Sequence, residues 1–276
     1  MEVTNSRDIS QEQFDKISAY LQNKYGLYFK QEKRTMFQSR LIKRLNNLKI
    51  DSFGEYLDYI FNKDKDEYTF FLDLVTTHKT SFFREEYQFD FLKEQLSVND
   101  KLNKKLLKVW SAGCSTGEEV YTLSILLNEY KKDNPRFDFQ ILGTDISLLS
   151  LKKASQGIYK QNEITDLPPY FLESYFKEIN SGDSTVYKFS NQEIKNKIKL
   201  GVLNLNRASY NLKGTFDVIF CRNVIIYFNA ETQRKVLSRL LEKLNPGGFL
   251  FLGHSETAIG ASLPIKSIRP TIYQKL

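Results

Sequence analysis

The sequence predicts an α/β protein in two parts: a small all-helical N-terminal domain over residues 1–75, then a mainly parallel sheet with its helices over 76–276. A small antiparallel β-subdomain is expected as an insertion at about 165–200. Three observations predict this. Apolar residues recur at helical spacing from residue 8 to 74. From residue 106, short apolar runs alternate with helical stretches, the pattern of a parallel sheet. Residues 157–197 break that rhythm with Pro168-Pro169, the turn-forming SGDS at 181–184 and the alternating YKFS. At 276 residues the chain is long enough for a small domain beside a medium one.

In ISQEQFDKISAYLQNKYG, Ser10 is placed to cap a helix with Gln13 three residues on. Phe14, Ile17 and Leu21 form its apolar stripe, and Gly26 stops it. In KQEKRTMFQSRLIKRLNNLKI, Phe37, Leu41, Leu45 and Leu48 make a second stripe. Lys33, Arg40, Lys43 and Arg44 fall along one flank of it as a basic ridge. FGEYLDYIF and DEYTFFLDLV complete the bundle. Strands are expected at 106–111, 139–144, 198–203, 216–221, 248–253 and 270–275, with helices at 117–131, 147–155 and 230–244. Asn245-Pro246-Gly247-Gly248 is expected to break the last helix, with a hairpin-like pair of strands after it.

Composition narrows the function classes. The chain is 41% hydrophobic and 26% charged, with no apolar run near the 18 or so residues that span a bilayer. It reads as a soluble globular protein, and MEVTNSRDISQEQF holds no apolar core of a signal peptide, so the cytoplasm is the expected location. Cys114 and Cys221 stand far apart with only His78 and His254 to help them, which argues against a zinc site or a disulfide framework. A net charge of +7 suggests an acidic partner without naming nucleic acid.

The chemistry concentrates after the first strand. There Gly113-Cys114-Ser115-Thr116-Gly117 turns into a helix whose free N–H groups can approach a ligand, and the two glycines would let the backbone come close. The turn lacks the G-x-G-x-x-G pattern, and Glu118 and Glu119 would repel a phosphate. A ligand with a positive group is therefore expected. The second strand ends at Asp145, where an acid can accept from two vicinal ribose hydroxyls. A ribose, a cationic amine and no phosphate describe S-adenosylmethionine. Alternatives stay open for each acid: Glu118 and Glu119 also favour a helix N-terminus, and Asp145 could cap the following helix.

Five segments carry a resemblance: TTHKTSFFRE at 76–85, WSAGCSTGEE at 110–119, GTDIS at 143–147, FCRNVIIYF at 220–228 and GHSET at 253–257. In this order they resemble the chemotaxis receptor methyltransferases, the CheR family, over essentially the whole chain. The resemblance implies a Rossmann-like class I S-adenosylmethionine-dependent methyltransferase domain behind the helical one. It also implies methylation of glutamate side chains on cytoplasmic helices of bacterial chemoreceptors, with S-adenosylhomocysteine as the second product and no metal.

Carried over position by position, the resemblance implies that Thr80 and Arg84 touch the cofactor. His78 stands beside them where the family usually has asparagine, and Val120 replaces a common proline. Glu119, with Glu118 as neighbour, is implied to take the methionine amino group, Asp145 the ribose, and Asn204-Leu205 the adenine. Arg222, Asn223 and Tyr227 are implied to line the methyl-transfer pocket, with Arg84, Arg222 and Tyr227 as the catalytic set. Lys33, Arg40, Lys43 and Arg44 would dock glutamate-rich receptor helices, and the inserted subdomain could pair with a receptor C-terminal tail. A monomer without nucleic-acid or membrane partners is expected. Two rival readings share the cofactor: a non-catalytic signalling module that binds it, and a nucleic-acid methyltransferase. Against the second, Pro168-Pro169 follows Leu167 rather than the Asn or Asp of an amino-methylating motif.

Overall fold

The structure, a computed structural model, describes residues 8–62, 65–181, 184–258 and 263–276. Gly182 and Asp183 of the expected SGDS turn lie outside the described residues. The N-terminal part is a helical bundle of α1 (Gln11–Tyr25), α2 (Arg34–Leu48), α3 (Phe53–Asn62) and α4 (Lys65–Val75). The cap on α1 is reciprocal: Ser10 Oγ accepts from Gln13 N at 3.1 Å while Gln13 Oε1 accepts from Ser10 N at 2.9 Å. Gly26 closes the helix at φ 77°, a conformation that costs glycine little. The two predicted stripes meet, with Phe14 edge-on to Phe37 at 5.9 Å.

The basic ridge is divided by the structure. Lys33 ends a short 3-10 turn before α2, and it and Lys43 are exposed. Arg40 instead donates to the carbonyls of Leu74 (3.2 Å) and Thr76 (3.0 Å), closing the end of α4. Arg44 forks onto Glu67, whose carboxylate is 3% exposed and also accepts from Tyr56 OH at 2.9 Å. The Arg44 guanidinium, implied for docking, neutralises a buried acid of its own bundle. Arg44→Met should remove the charge opposite the buried Glu67 and lower unfolding free energy by about 3 kcal/mol, read as a fall in the urea midpoint at unchanged m-value.

Beyond the bundle comes α5 (Tyr87–Val98), a helix absent from the sequence reading. Its N-cap, Glu86, makes no side-chain capping bond, and Phe89, Phe91, Leu92 and Leu96 are buried against the sheet, so start signal and one-sided stripe are both weak. The chain then runs β1 (Leu107–Ala112), α6 (Glu118–Asp133), β2 (Phe139–Asp145) and α7 (Leu148–Gln156). Next come β3 (Ile158–Lys160), α8 (Pro169–Tyr175), β4 (Phe176–Ser181), β5 (Ser184–Phe189) and α9 (Gln192–Asn196). It ends with β6 (Ile198–Val202), β7 (Phe216–Cys221), α10 (Ala230–Lys243), β8 (Leu244–Leu252), β9 (Ile265–Arg269) and β10 (Ile272–Lys275).

Seven strands form one sheet in the order β6-β2-β1-β7-β8-β10-β9. β6, β2, β1, β7 and β8 pair in parallel; β10 runs antiparallel to β8 and to β9. From β1 the chain winds outward through β2 to β6, then returns to β7 on the other side. The crevice beyond the carboxyl ends of β1 and β7 is therefore a topological switch point, where open α/β sheets bind ligands. The inserted unit is a three-stranded antiparallel sheet, β3-β5-β4, beginning at Ile158, ahead of its expected start.

At the C-terminal end α10 stops at Lys243, just ahead of Asn245-Pro246-Gly247-Gly248, as expected, but those four residues do not form a loop. Asn245-Pro246-Gly247-Gly248 lies inside β8 as an irregularity of the β7 ladder, and Gly247 sits at φ 77°. A Cβ at Gly248 would come within 2.6 Å of the Asp217 carbonyl, so the glycine is demanded by strand approach rather than by a loop. After it β9 and β10 form the expected antiparallel pair, and β10 joins it to β8.

Candidate active site

The glycine turn after β1 is shaped by packing within the protein. Gly113 (φ 96°) and Gly117 (φ 99°) take conformations that other residues rarely adopt. A Cβ on Gly113 would lie 2.3 Å from a methyl of Val224, and one on Gly117 would lie 2.8 Å from Ala154 Cβ. The glycines therefore let the turn fit between two protein walls, where the sequence suggested room for ligand. The turn is pinned to β2, since the N–H groups of Gly113 and Cys114 both donate to the Thr144 carbonyl.

The two acids of α6 part company. Glu118 is buried with its carboxylate on Thr116 Oγ1 (2.6 and 2.9 Å), and it is not among the residues around the crevice. The structure thus does not bring Glu118 to the cofactor position implied for it. Glu119 does face the crevice: Ser111 Oγ donates to one oxygen at 2.6 Å, and Arg222 Nε lies 3.1 Å from the other. Burial pushes the Glu119 carboxyl up, and Arg222 is the strongest opposing influence.

Arg222, at the end of β7, has a side chain only 3% exposed. It donates to Gln88 Oε1 at 3.1 Å and to the Arg84 carbonyl at 2.6 Å, and it lies over the Phe89 ring. Its Nε is near Glu119 but not aligned for a hydrogen bond, so the contact is an ion pair with a buried N–H left over. Gln88 is itself tied to the Leu252 carbonyl and Thr271 Oγ1. Arg222 is therefore a positioning residue that holds Glu119, rather than a free cation.

Asp145, at the tip of β2 and 9% exposed, accepts one backbone N–H on each carboxylate oxygen: Ser115 at 2.8 Å and Ser147 at 2.9 Å. The residue lines the crevice. Burial raises its carboxyl, against those N–H groups and the charge of His78.

His78 lines the crevice, yet both ring nitrogens are engaged: Nδ1 with Ser150 Oγ at 3.0 Å, Nε2 with Thr76 Oγ1 at 2.8 Å. Asp73 pairs with it at 3.2 Å and accepts from Ser147 Oγ, so the cluster ties α4 to α7. Burial resists charging His78, but Asp73 and then Asp145 prevail and raise it. A raised histidine contributes stability fully below its ordinary value near 6.5, and that stability is lost as pH rises through the raised value. Wild-type stability should accordingly fall as pH rises above about 6.5. His78→Asn should flatten that segment of the urea-midpoint profile.

The helical bundle supplies the facing wall. Tyr25, Leu27, Phe29, Val75, Thr76 and Thr77 all line the crevice, and none was singled out from sequence. The wall is stitched in place by Tyr28 N donating to the Tyr227 carbonyl at 2.8 Å, and by Asn204 Nδ2 donating to the Lys24 carbonyl at 2.8 Å. Thr80, Arg84, Asn204, Leu205, Asn223 and Tyr227 are on the crevice as well. Arg84 donates to the Lys79 carbonyl at 2.7 Å, between Phe83 and Glu85, both at positive φ. Tyr227 makes no side-chain hydrogen bond to a described residue.

Glu256, in GHSET, was given no role from sequence. Its buried carboxylate accepts from the N–H groups of Gly253 (2.6 Å), Asn223 (2.8 Å) and Ile226 (3.3 Å). It thereby shapes the Asn223 turn, at φ 57°, that presents Arg222, Asn223 and Tyr227. The legible signal was an acid in a loop after a strand, too common to interpret alone.

The crevice is an open cleft between the bundle and the carboxyl ends of the sheet. It offers an ion-paired carboxylate in Glu119, the carboxylate of Asp145, and apolar walls that include Leu27, Phe29, Leu205 and Phe228. That donor set fits S-adenosylmethionine: an ammonium, a vicinal diol and a planar base. Cys114 and Cys221 are buried, and burial pushes both thiols up, so they are packing residues. Among the described residues no cluster of three or more His, Cys, Asp or Glu could hold a metal, and no helix is long and apolar enough to cross a membrane.

Two family models match the chain: "CheR methyltransferase, all-alpha domain" over residues 12–76 and "CheR methyltransferase, SAM binding domain" over 78–273. The chain is 35% identical over 257 residues to a chemotaxis protein methyltransferase of Salmonella typhimurium, covering 93% of this chain and 87% of that one. The corresponding Escherichia coli protein is also 35% identical, with 93% and 88% covered. A Borreliella burgdorferi chemotaxis protein methyltransferase is 32% identical over 278 residues, with 97% and 95% covered.

Proposed function

The chain belongs to the CheR methyltransferase family, and from that premise we propose that it methylates glutamate side chains on cytoplasmic helices of bacterial chemoreceptors. Its products are glutamate methyl esters and S-adenosylhomocysteine, and its role is sensory adaptation. The observation that carries the choice of acceptor is the lack of a free histidine: the one histidine lining the crevice, His78, has both ring nitrogens bonded within the protein. A carboxylate suits such a site, because glutamate with a pKa near 4.3 is already ionised at neutral pH. An amine or a base would have to lose a proton.

S-adenosylmethionine supplies the activated methyl group. Glu119 holds its amino group, Asp145 its ribose hydroxyls, and Asn204-Leu205 its adenine, while Thr80 and Asn223 flank it. Acceptor and sulfonium both lose charge on the way to the transition state, so bulk water would favour the reactants. The protein's task is to exclude water and align the two, a contribution of roughly 7 kcal/mol when well achieved. Arg84 orients the acceptor carboxylate from its strained segment, Arg222 acts through Glu119, and Tyr227 offers a weak hydrogen bond beside the transferring methyl.

The bundle of residues 1–75 docks the receptor helices, with the exposed Lys33 and Lys43 as its contact cations and Arg40 beside them. Residues 1–75 hold 12 Lys and Arg against 12 Asp and Glu, so the surplus of +7 lies wholly in 76–276. Long-range steering of an acidic partner therefore comes from the sheet domain. The protein acts as a cytoplasmic monomer, and β4, an edge strand of the inserted sheet, offers a place for a receptor tail to pair.

Transfer of tritiated methyl from S-adenosylmethionine to a purified receptor cytoplasmic fragment tests this reading. Alkali should then release the label as volatile methanol, since esters hydrolyse. Label that survives alkali would move the acceptor to an amine or a nucleic acid, and binding without transfer would favour a signalling module.

A further inference from the structure

Four side chains of the helical bundle form a hydrogen-bonded chain that ends at the crevice. Lys24 Nζ donates to Tyr20 OH at 2.7 Å, Tyr20 and Tyr68 hydroxyls meet at 3.1 Å, and Tyr68 and Tyr25 hydroxyls meet at 2.7 Å. Tyr25, 9% exposed, is one of the residues lining the crevice. The direction of the chain follows from elementary chemistry. An ammonium has three donors and no acceptor, so Tyr20 must receive from Lys24 and send its own proton on to Tyr68. Tyr68 then sends its proton to Tyr25. Tyr25 is left as an acceptor from Tyr68, with a proton that no described residue takes.

Lys24 is well suited to set this polarity. Its ammonium lies 4.7 Å from the centre of the Tyr68 ring and within 5.5 Å of the rings of Tyr20 and Tyr25. Its hydrogen bond to Tyr20 raises its affinity for the proton, against the cost of burial. In a chain polarised from one end, each hydroxyl that receives a bond becomes a stronger donor in the next. The last hydroxyl is the strongest of the three phenols in that respect.

The geometry points to Tyr25 as a specificity-determining residue for the cofactor: its hydroxyl donates a hydrogen bond to a ring nitrogen of the adenine. Adenine is the group placed there because Asn204, assigned to the adenine above, lines the crevice and donates to the carbonyl of Lys24, the residue before Tyr25. This assignment rests on the S-adenosylmethionine reading above. It makes the helical bundle a reader of the cofactor as well as a docking module, and it links the exposed ammonium of Lys24 to cofactor affinity.

Binding of S-adenosylhomocysteine and its 1-deaza, 3-deaza and 7-deaza analogues to the full chain, measured by calorimetry, tests the assignment. Each analogue lacks one adenine acceptor. Tyr25→Phe should weaken binding of the parent compound about fivefold, the worth of one hydrogen bond. One deaza analogue should cost wild type the same factor and bind equally to wild type and Tyr25→Phe. Lys24→Met should weaken the parent less, and should add nothing to Tyr25→Phe, as expected for two members of one chain. Unchanged affinity in Tyr25→Phe would overturn the proposal. So would a loss shared equally by the parent and all three analogues, which would make Tyr25 a packing residue. If wild type fails to bind S-adenosylhomocysteine at all, the cofactor reading falls, and this one with it.

Discussion

Asp145→Asn is expected to raise the dissociation constant for S-adenosylmethionine about a hundredfold in a protein that still folds. The aspartate is buried, and each of its oxygens already takes one backbone N–H, from Ser115 and from Ser147. An asparagine has a single acceptor oxygen. Its NH2 would face either a backbone N–H, leaving a donor against a donor, or a ribose hydroxyl that needs a charged acceptor. A lost hydrogen bond to a charged group is worth about 1.5–3 kcal/mol, and release of the Ser115 turn adds to it. About 3 kcal/mol corresponds to the hundredfold change. Calorimetric titration gives the affinity, and circular dichroism checks the fold. Affinity within threefold of wild type would remove Asp145 from the ribose.

Arg222→Met should act through Glu119 and cost more, about a thousandfold in kcat/KM. The arginine is the strongest influence that keeps Glu119 ionised against burial. Removing one partner of a buried ion pair typically costs about 3–5 kcal/mol, because the remaining charge is stranded. Here Glu119 has a way out. With its folded value already raised by burial, loss of Arg222 raises it further, which favours the protonated carboxyl that no longer attracts an ammonium. The sign gives a diagnostic: in Arg222→Met, cofactor affinity should recover as pH rises and Glu119 ionises, while wild type should stay flatter over the same range. Arg222→Lys should recover only part of the activity, since one ammonium cannot reach Gln88, the Arg84 carbonyl and Glu119 together. Arg222→Met with normal affinity and a flat pH profile would show that Glu119 does not depend on it.

The capping box at Ser10, the stripes of α1 and α2, and the parallel strands were legible because each is a local pattern: an i to i+3 exchange, a 3.6-residue period, a short apolar run. Glu119 and Asp145 were legible for a related reason. Each follows a strand of the parallel sheet, and the carboxyl ends of such strands face the ligand crevice. What escaped the sequence is non-local. Glu118 has the same sequence context as Glu119, but one step along the helix turns it onto Thr116 and away from the crevice. Arg44 looks like Lys43 in sequence, yet its side chain meets Glu67, 23 residues on. α5 was missed because its apolar residues pack on more than one side, which blurs the period.

By itself the sequence determined the class of the protein: a helical bundle before a parallel sheet, with an acid at the start of the helix after its first strand and another at the tip of its second. These follow from short-range periodicity and from the fixed relation between strand ends and ligand sites. Only the tertiary structure decided how the crevice is finished. It brought the bundle over the sheet, so that Tyr25 and Leu27 became a wall, set Glu256 beneath the Asn223 turn, and tied Arg222 to Glu119 across 103 positions of chain. Those contacts join residues whose separation carries no period, and burial decides them: a polar side chain withdrawn from water must take the partner that the fold places beside it.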